Sequence, residues 1–247
     1  MSHAGVEACH YDRSVRTGRQ ALKIGYEFFS SLYAPERIGR PFFISLSIAP
    51  LFPAGYGNAR RFSCDCFGLS EDIEYGLNAQ TWCWWNGDRL YQYNDSDHVV
   101  LHKAFTMLRE SRETEARARY TTAAIAGGIM LLSDDFSNEL SRERAEKFTA
   151  NREINRIASS GIPFRPVESA GGSSGHVFTA VIDGRPYAAM FNWNETSADI
   201  AAVCERAQIP EGTYRDLWTG RTVSTEQGSL IWRFEDTDAA LLEFIHE

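Results

Sequence analysis

Three polar clusters in the chain carry side chains able to do chemistry. In the first, Arg61-Phe62-Ser63-Cys64-Asp65, a carboxylate follows a guanidinium by four positions at the expected C-terminal end of a short strand. Strand side chains alternate, so Arg61, Ser63 and Asp65 are expected on one face of a short strand. A carboxylate beside an arginine can bind sugar hydroxyls, and the cation controls its proton affinity. An ordinary ion pair at a loop would look the same. The second cluster, Tyr91 to His98, holds Asp95, Asp97 and His98. With His102 these could ligate Zn²⁺ or Mn²⁺, but the spacing is weak as a metal signature and a turn with carboxylates on backbone N–H groups fits better. The third, Ser133-Asp134-Asp135, either lines a site or starts a helix. Trp82, Trp84, Trp85, Tyr91 and Tyr93 lie near these acids in sequence, where they could stack on sugar faces or pack a core.

Other chemistries lack their residues. No GxGxxG, P-loop, nucleophile elbow or HExxH occurs, so no cofactor and no serine-hydrolase site is expected. Cys64-x-Cys66 is too close for a zinc module and has no second pair, and five scattered cysteines form no disulfide framework. The N-terminus, Met1-Ser2-His3-Ala4-Gly5, has no signal-peptide pattern, which favours a cytoplasmic location with reduced thiols. A net charge of −8 argues against nucleic-acid and anionic-membrane partners. Apolar runs such as Ala123 to Leu132 fall far short of the ~20 residues of a membrane span.

The elements that must position these clusters show two patterns. Up to about residue 160, helical stretches (Ser14 to Tyr33, Ser70 to Trp84, Glu113 to Ile125, Arg142 to Ser159) alternate with short apolar runs. Those runs, Phe42 to Ala49, Arg61 to Asp65, Leu90 to Asn94 and Ile129 to Ser133, predict the strands of parallel βα units. After Gly161-Ile162-Pro163 the chain turns to short strands (Val177 to Ile182, Pro186 to Trp193, Ile200 to Val203, Gly212 to Asp216, Leu230 to Phe234, Ala240 to Ile245) with turns at Asp183-Gly184 and Thr219-Gly220. That predicts an antiparallel sandwich. The 247 residues would fit one complete (β/α)₈ barrel, but the change of pattern divides them into 1–162 and 163–247.

Taken in order, HYD and TGRQA within 10–21, FFISLSIAPLFP, RRFSCDCFG, LNAQTWCWW, YNDSDHVVL, GGIMLLSDD, AAMFNWNE and YRDLWTG make the chain similar to the later part of α-galactosidase-like (melibiase) glycoside hydrolases, families 27 and 36. The resemblance implies an α/β fold: a partial (β/α)₈ barrel, about strands five to eight, followed by an all-β sandwich. It implies a retaining reaction on an α-galactoside by two carboxylates about 5–5.5 Å apart. Arg61 to Asp65 matches the family's Arg-x-x-x-Asp segment on the sixth strand, making Asp65 the general acid/base and Arg61 a substrate-binding neighbour. Asn94-Asp95-Ser96-Asp97 resembles the Asn-Asp-Pro-Asp segment after the seventh strand, with Ser96 in place of proline. Asp95, Asp97 and Trp84 complete the implied substrate contacts.

The family nucleophile lies in a Lys-x-Asp segment shortly before a His-Gly stretch. Here that stretch corresponds to His3 to Glu7, which puts the nucleophile before Met1; Lys23-Ile24-Gly25 lies on the wrong side of HYD and has glycine for aspartate. The expectation is an N-terminally truncated enzyme, inactive alone. Its open strand edges would invite a missing N-terminal half-barrel or self-association. A non-catalytic carbohydrate-binding remnant is the alternative, with a metal-dependent hydrolase on Asp95, Asp97 and His98 as a third reading.

Overall fold

The computed structural model describes residues 11–47, 49, 54–87, 89–105, 107–167 and 175–246. The His3 to Glu7 stretch, His10 of HYD, Pro50 to Pro53 and the first six residues of the Ser169 to Gly175 loop lie outside the described residues.

Helix α1 (Gly18–Leu32) begins at Thr17, whose hydroxyl accepts from the Gln20 amide while the Gln20 side chain accepts from that of Thr17. Helix α2 (Pro35–Ile38) follows, ended by Gly39 in the left-handed region. Four strands, β1 (Ser45–Leu46), β2 (Ala59–Arg61), β3 (Tyr93–Val99) and β4 (Gly128–Leu132), pair in that order, all parallel. Helices α3 (Ser70–Cys83) and α4 (Glu113–Ile125) carry the chain from β2 to β3 and from β3 to β4. Parallel neighbours need such crossovers, and these set the strands' C-terminal ends along one edge. Among the described residues β1 and β4 pair on one side only. No described helix is long and apolar enough to cross a membrane.

The predicted helix Arg142 to Ser159 is two helices, α5 (Glu139–Thr149) and α6 (Arg152–Ser159). Asn138 and Asn151 cap each start by accepting backbone N–H groups, and the second cap interrupts the run.

One buried carboxylate joins the starts of α3 and α4. Glu115 accepts from the Ser70 amide (3.1 Å) and hydroxyl (2.8 Å), the Arg112 amide (2.8 Å) and both terminal nitrogens of Arg109. Burial opposes its ionisation, but the bonds from Arg109, Arg112 and Ser70 outweigh that and hold the carboxyl far below its ordinary value of 4.5. A depressed folded-state pKa gives stability that is complete above the ordinary value and is lost as pH falls below it. Urea-unfolding midpoints should therefore hold from neutral pH to about 4.5 and drop in stronger acid. Glu115→Gln should lower the neutral midpoint and make that drop shallower; an equally steep drop in the variant would refute the assignment.

Beyond residue 162 the strands are antiparallel. A six-stranded sheet runs β10 (Thr222–Ser224), β9 (Thr213–Asp216), β12 (Asp238–His246), β7 (Arg185–Asn192), β6 (Val177–Ile182), β5 (Arg165–Pro166). A two-stranded sheet pairs β8 (Ala198–Val203) with β11 (Ser229–Phe234), and helix α7 (Cys204–Ala207) follows β8. The expected hairpin between β6 and β7 turns at Asp183 and Gly184, both at positive φ. Met190, Ala202, Leu230, Trp232 and Leu242 fill the space between the sheets. A second core joins this unit to the parallel one. There Trp218 packs on Tyr120 and Phe148, its indole N–H donates to the Thr121 hydroxyl, and Arg117 of α4 makes a two-bond pair with Asp238 of β12.

Candidate active site

The polar group lies where β2 and β3 end. Arg61 is the last residue of β2, and its Nη1 stands 2.6 Å from Asp97 Oδ1 and 3.1 Å from Asp65 Oδ1. The strand predicted to reach Asp65 stops at Arg61, so the two meet because the following loop turns back, not because strand positions alternate. Asp97 is buried: its other oxygen accepts from the Cys66 amide (2.8 Å), and its own amide donates to Asp95 Oδ1 (2.8 Å). The second oxygen of Asp95 accepts from the Ser45 hydroxyl on β1 (2.8 Å). A continuous chain of bonds thus runs from β1 through Asp95, Asp97 and Arg61 to Asp65.

The charges sort the carboxylates by role. Burial works against the Arg61 cation, but the hydrogen bond and charge of Asp97, then the charges of Asp65 and Asp95, more than compensate and raise its pKa. Asp97 and Asp95 have both oxygens committed inside the protein. The Asp65 side chain is 65% exposed, so it is the carboxylate of this group open to a bound molecule or to water.

His98, half-exposed, completes the group. Its ring stacks on Phe67, Nδ1 lies 3.0 Å from the Ser133 hydroxyl, and Nε2 lies 3.6 Å from Asp97 Oδ1. Asp65, Asp97 and His98 each place one potential metal-ligand atom within 4.8 Å of the others. The Arg61 guanidinium already stands against both carboxylates, so a cation occupies this position without a metal. The other ligands weighed for a metal do not join: Asp95 is bonded to Ser45 and the Asp97 amide, and His102 is buried beside Glu110.

Two further sequence candidates stand elsewhere. Trp84 follows α3, and its carbonyl accepts from Asn94 near the start of β3; the residue lines a cavity with Ile162, Pro163 and Thr179. It therefore sits toward the N-terminal end of the strands, opposite Asp65, because a crossover helix returns the chain to that end. Asp134 does not line the site either: it is buried and accepts the amides of Leu101, His102 and Lys103. Phe67 and Ser45, both within the site, carried no sequence signal of their own.

Together these features define a mixed parallel and antiparallel α/β protein with its polar site at the C-terminal edge of the parallel strands. That fold is shared with solved α-galactosidase-type glycoside hydrolases. The chain is similar to α-galactosidase I from Mortierella vinacea, with TM-score 0.69 and 16% identity over 90% of this chain and 63% of that one. It is also similar to a GH27 β-L-arabinopyranosidase from Geobacillus stearothermophilus, with TM-score 0.73 and 19% identity over 94% of this chain and 55% of that one. A third likeness is to an isomalto-dextranase from Arthrobacter globiformis T6 complexed with panose, with TM-score 0.68 and 15% identity over 94% of this chain and 43% of that one. The chain thus spans less than two thirds of each of these proteins, and at such identities the likeness is one of fold. No protein-family model and no curated protein matches the sequence.

Proposed function

We propose that this chain carries the acid/base side of an α-galactosidase-like retaining glycoside hydrolase. The four parallel strands are strands five to eight of a (β/α)₈ barrel, and the antiparallel sheets beyond residue 162 are its β-sandwich domain. The observation that carries this reading is an exposed Asp65 held by Arg61 at the C-terminal edge of parallel strands, where barrel enzymes place their chemistry. Solved structures of this fold named as α-galactosidase or as an arabinopyranosidase in complex with arabinose support a galactoside or related sugar as ligand.

In this reading Asp65 protonates the leaving oxygen and then activates water, a role that supplies about 10²–10⁴-fold. Arg61 orients Asp65 and offers N–H groups to sugar hydroxyls. Asp95 and Asp97 act through hydrogen bonds that fix Arg61 rather than by touching the sugar, and Trp84 has no part. A retaining pair needs a second carboxylate about 5–5.5 Å away, free to attack carbon. Asp97 is close enough, but its oxygens are held by Arg61 and the Cys66 amide. Asp97 is therefore not free to act as the nucleophile, and Asp95, bonded to Ser45 and the Asp97 amide, is not free either.

The purified chain should release no aryl alcohol from an aryl α-galactoside at acid or neutral pH. Calorimetric titration with galactose should show heat that weakens in Asp65→Asn. Turnover that Asp65→Asn abolishes would overturn the inactivity, and absence of heat with galactose and arabinose alike would overturn the carbohydrate reading.

A further inference from the structure

Helix α4 buries the small side chains of Ala116, Ala118, Thr122 and Ala123, yet Arg119 among them has no exposed surface. Removing a guanidinium from water costs several kcal/mol unless its donors are met. Arg119 forms no salt bridge among the described residues. Its Nε and Nη2 donate instead to three backbone carbonyls, Nε to Phe67 and His98, both at 3.0 Å, and Nη2 to Ser96 and His98, both at 2.6 Å, while its Nη1 is buried with no hydrogen-bond partner among the described residues.

The last two bonds fix the shape of the strand. One nitrogen reaches the carbonyls of Ser96 and His98 at 2.6 Å each, so these oxygens are no further apart than twice that distance. In a regular strand, carbonyls two residues apart are roughly 6.5–7 Å from each other. The shortening comes from Asp97, whose φ of 69° is left-handed, and from a break in the β3–β4 register between Asp95 and His98. A non-glycine residue keeps that conformation only where its surroundings impose it. The kink brings the Asp97 carboxylate to Arg61 and the Cys66 amide. The third carbonyl belongs to Phe67, two residues after Asp65, so the loop bearing Asp65 is fastened to the same guanidinium.

We propose that Arg119 is a positioning residue. From behind the sheet it imposes the left-handed conformation on Asp97 and anchors the Asp65 loop, and so sets where Arg61 and Asp65 stand. Its importance for catalysis rests on the reading of Asp65 as acid/base; its geometric role does not.

The test is nuclear magnetic resonance on the full chain, comparing wild type with Arg119→Met and Arg119→Lys. A positive φ brings the amide and α protons of one residue close, so wild-type Asp97 should give a strong intraresidue cross-peak. Arg61 should give slowly exchanging guanidinium signals from its ion pairs. Arg119→Met should lose both while the amides of β6 and β7 keep their wild-type shifts. Arg119→Lys keeps the charge but not the planar fork, and should restore the Arg61 signals only in part. Galactose affinity should fall about tenfold in Arg119→Met. Unchanged Asp97 and Arg61 signals in a folded variant would overturn the proposal, and Arg119→Lys decides it if Arg119→Met does not fold. These signals are read without sugar, so a failure of galactose to bind any form would count against the carbohydrate reading and not against this one.

Discussion

Gly128→Ala is expected to abolish the native parallel sheet. A β-carbon built on Gly128 would stand 1.7 Å from the carbonyl oxygen of Asn94, 2.6 Å from its carbon and 2.8 Å from its nitrogen. All three are backbone atoms of the residue paired with Gly128 across β3 and β4, so no rotamer change relieves the overlap. Asn94 cannot withdraw freely, because its side-chain amide donates to the carbonyls of Ala126 (2.9 Å) and Trp84 (3.3 Å). The preceding Gly127 has φ of 69° and lies against Pro163, which blocks a compensating shift of the turn. Either the strands separate or the turn re-forms, and each loses more than about 4 kcal/mol, a large share of a domain's stability. The variant should be insoluble or lack near-ultraviolet circular dichroism, whereas Gly55→Ala, with nothing within 4 Å, should unfold in urea as wild type does. A Gly128→Ala protein with a wild-type midpoint would refute the β3–β4 register.

The contrast between β3 and α4 shows where sequence information stops. Helix α4 was legible to the residue, Glu113–Ile125, because its start carries acids and its end meets Gly127-Gly128, both local signals. Strand β3 was expected at Leu90 to Asn94 with a polar turn after it, but it runs Tyr93–Val99 and buries Asn94, Asp95, Ser96 and Asp97. Four successive polar residues give no alternating apolar pattern. The two carboxylates can be buried because Ser45, Arg61 and Cys66, from other segments, donate to them, while Arg119 meets the Ser96 carbonyl and the Asn94 side-chain amide donates to the Trp84 and Ala126 carbonyls. The contact of Arg61 with Asp65 agrees with the expectation of a pair, but it arises from the loop after Arg61 and not from the strand alternation that predicts it. Trp84 lies away from Asp65 because a 14-residue helix separates the two, which closeness in sequence does not reveal. Arg119 gave no local sign at all, because a buried arginine on a helix reads as a solvated one until its partners are known.

Arg61→Met should destabilise the chain by about 3 kcal/mol, the lower end of the range for removing one partner of a buried ion pair. The Arg61 and Asp97 side chains are 10% and 4% exposed, so their pair is nearly dry. Losing the guanidinium leaves a buried carboxylate with the Cys66 amide on its other oxygen and a methionine where its counter-charge stood. Asp65 behaves differently, since at 65% exposure it regains water when Arg61 goes and its ion pair is worth about 0–1 kcal/mol. Double-mutant cycles from urea unfolding separate the two carboxylates. Arg61→Met with Asp97→Asn should show a coupling of about 2–3 kcal/mol, and Arg61→Met with Asp65→Asn one within about 0.5 kcal/mol of zero. A residue that gives and takes a proton must exist in both charge states without unfolding its site, so weak coupling is what an acid/base requires of Asp65. Equal couplings would make Asp65 a structural anion, and the catalytic role proposed for it would fall with that result.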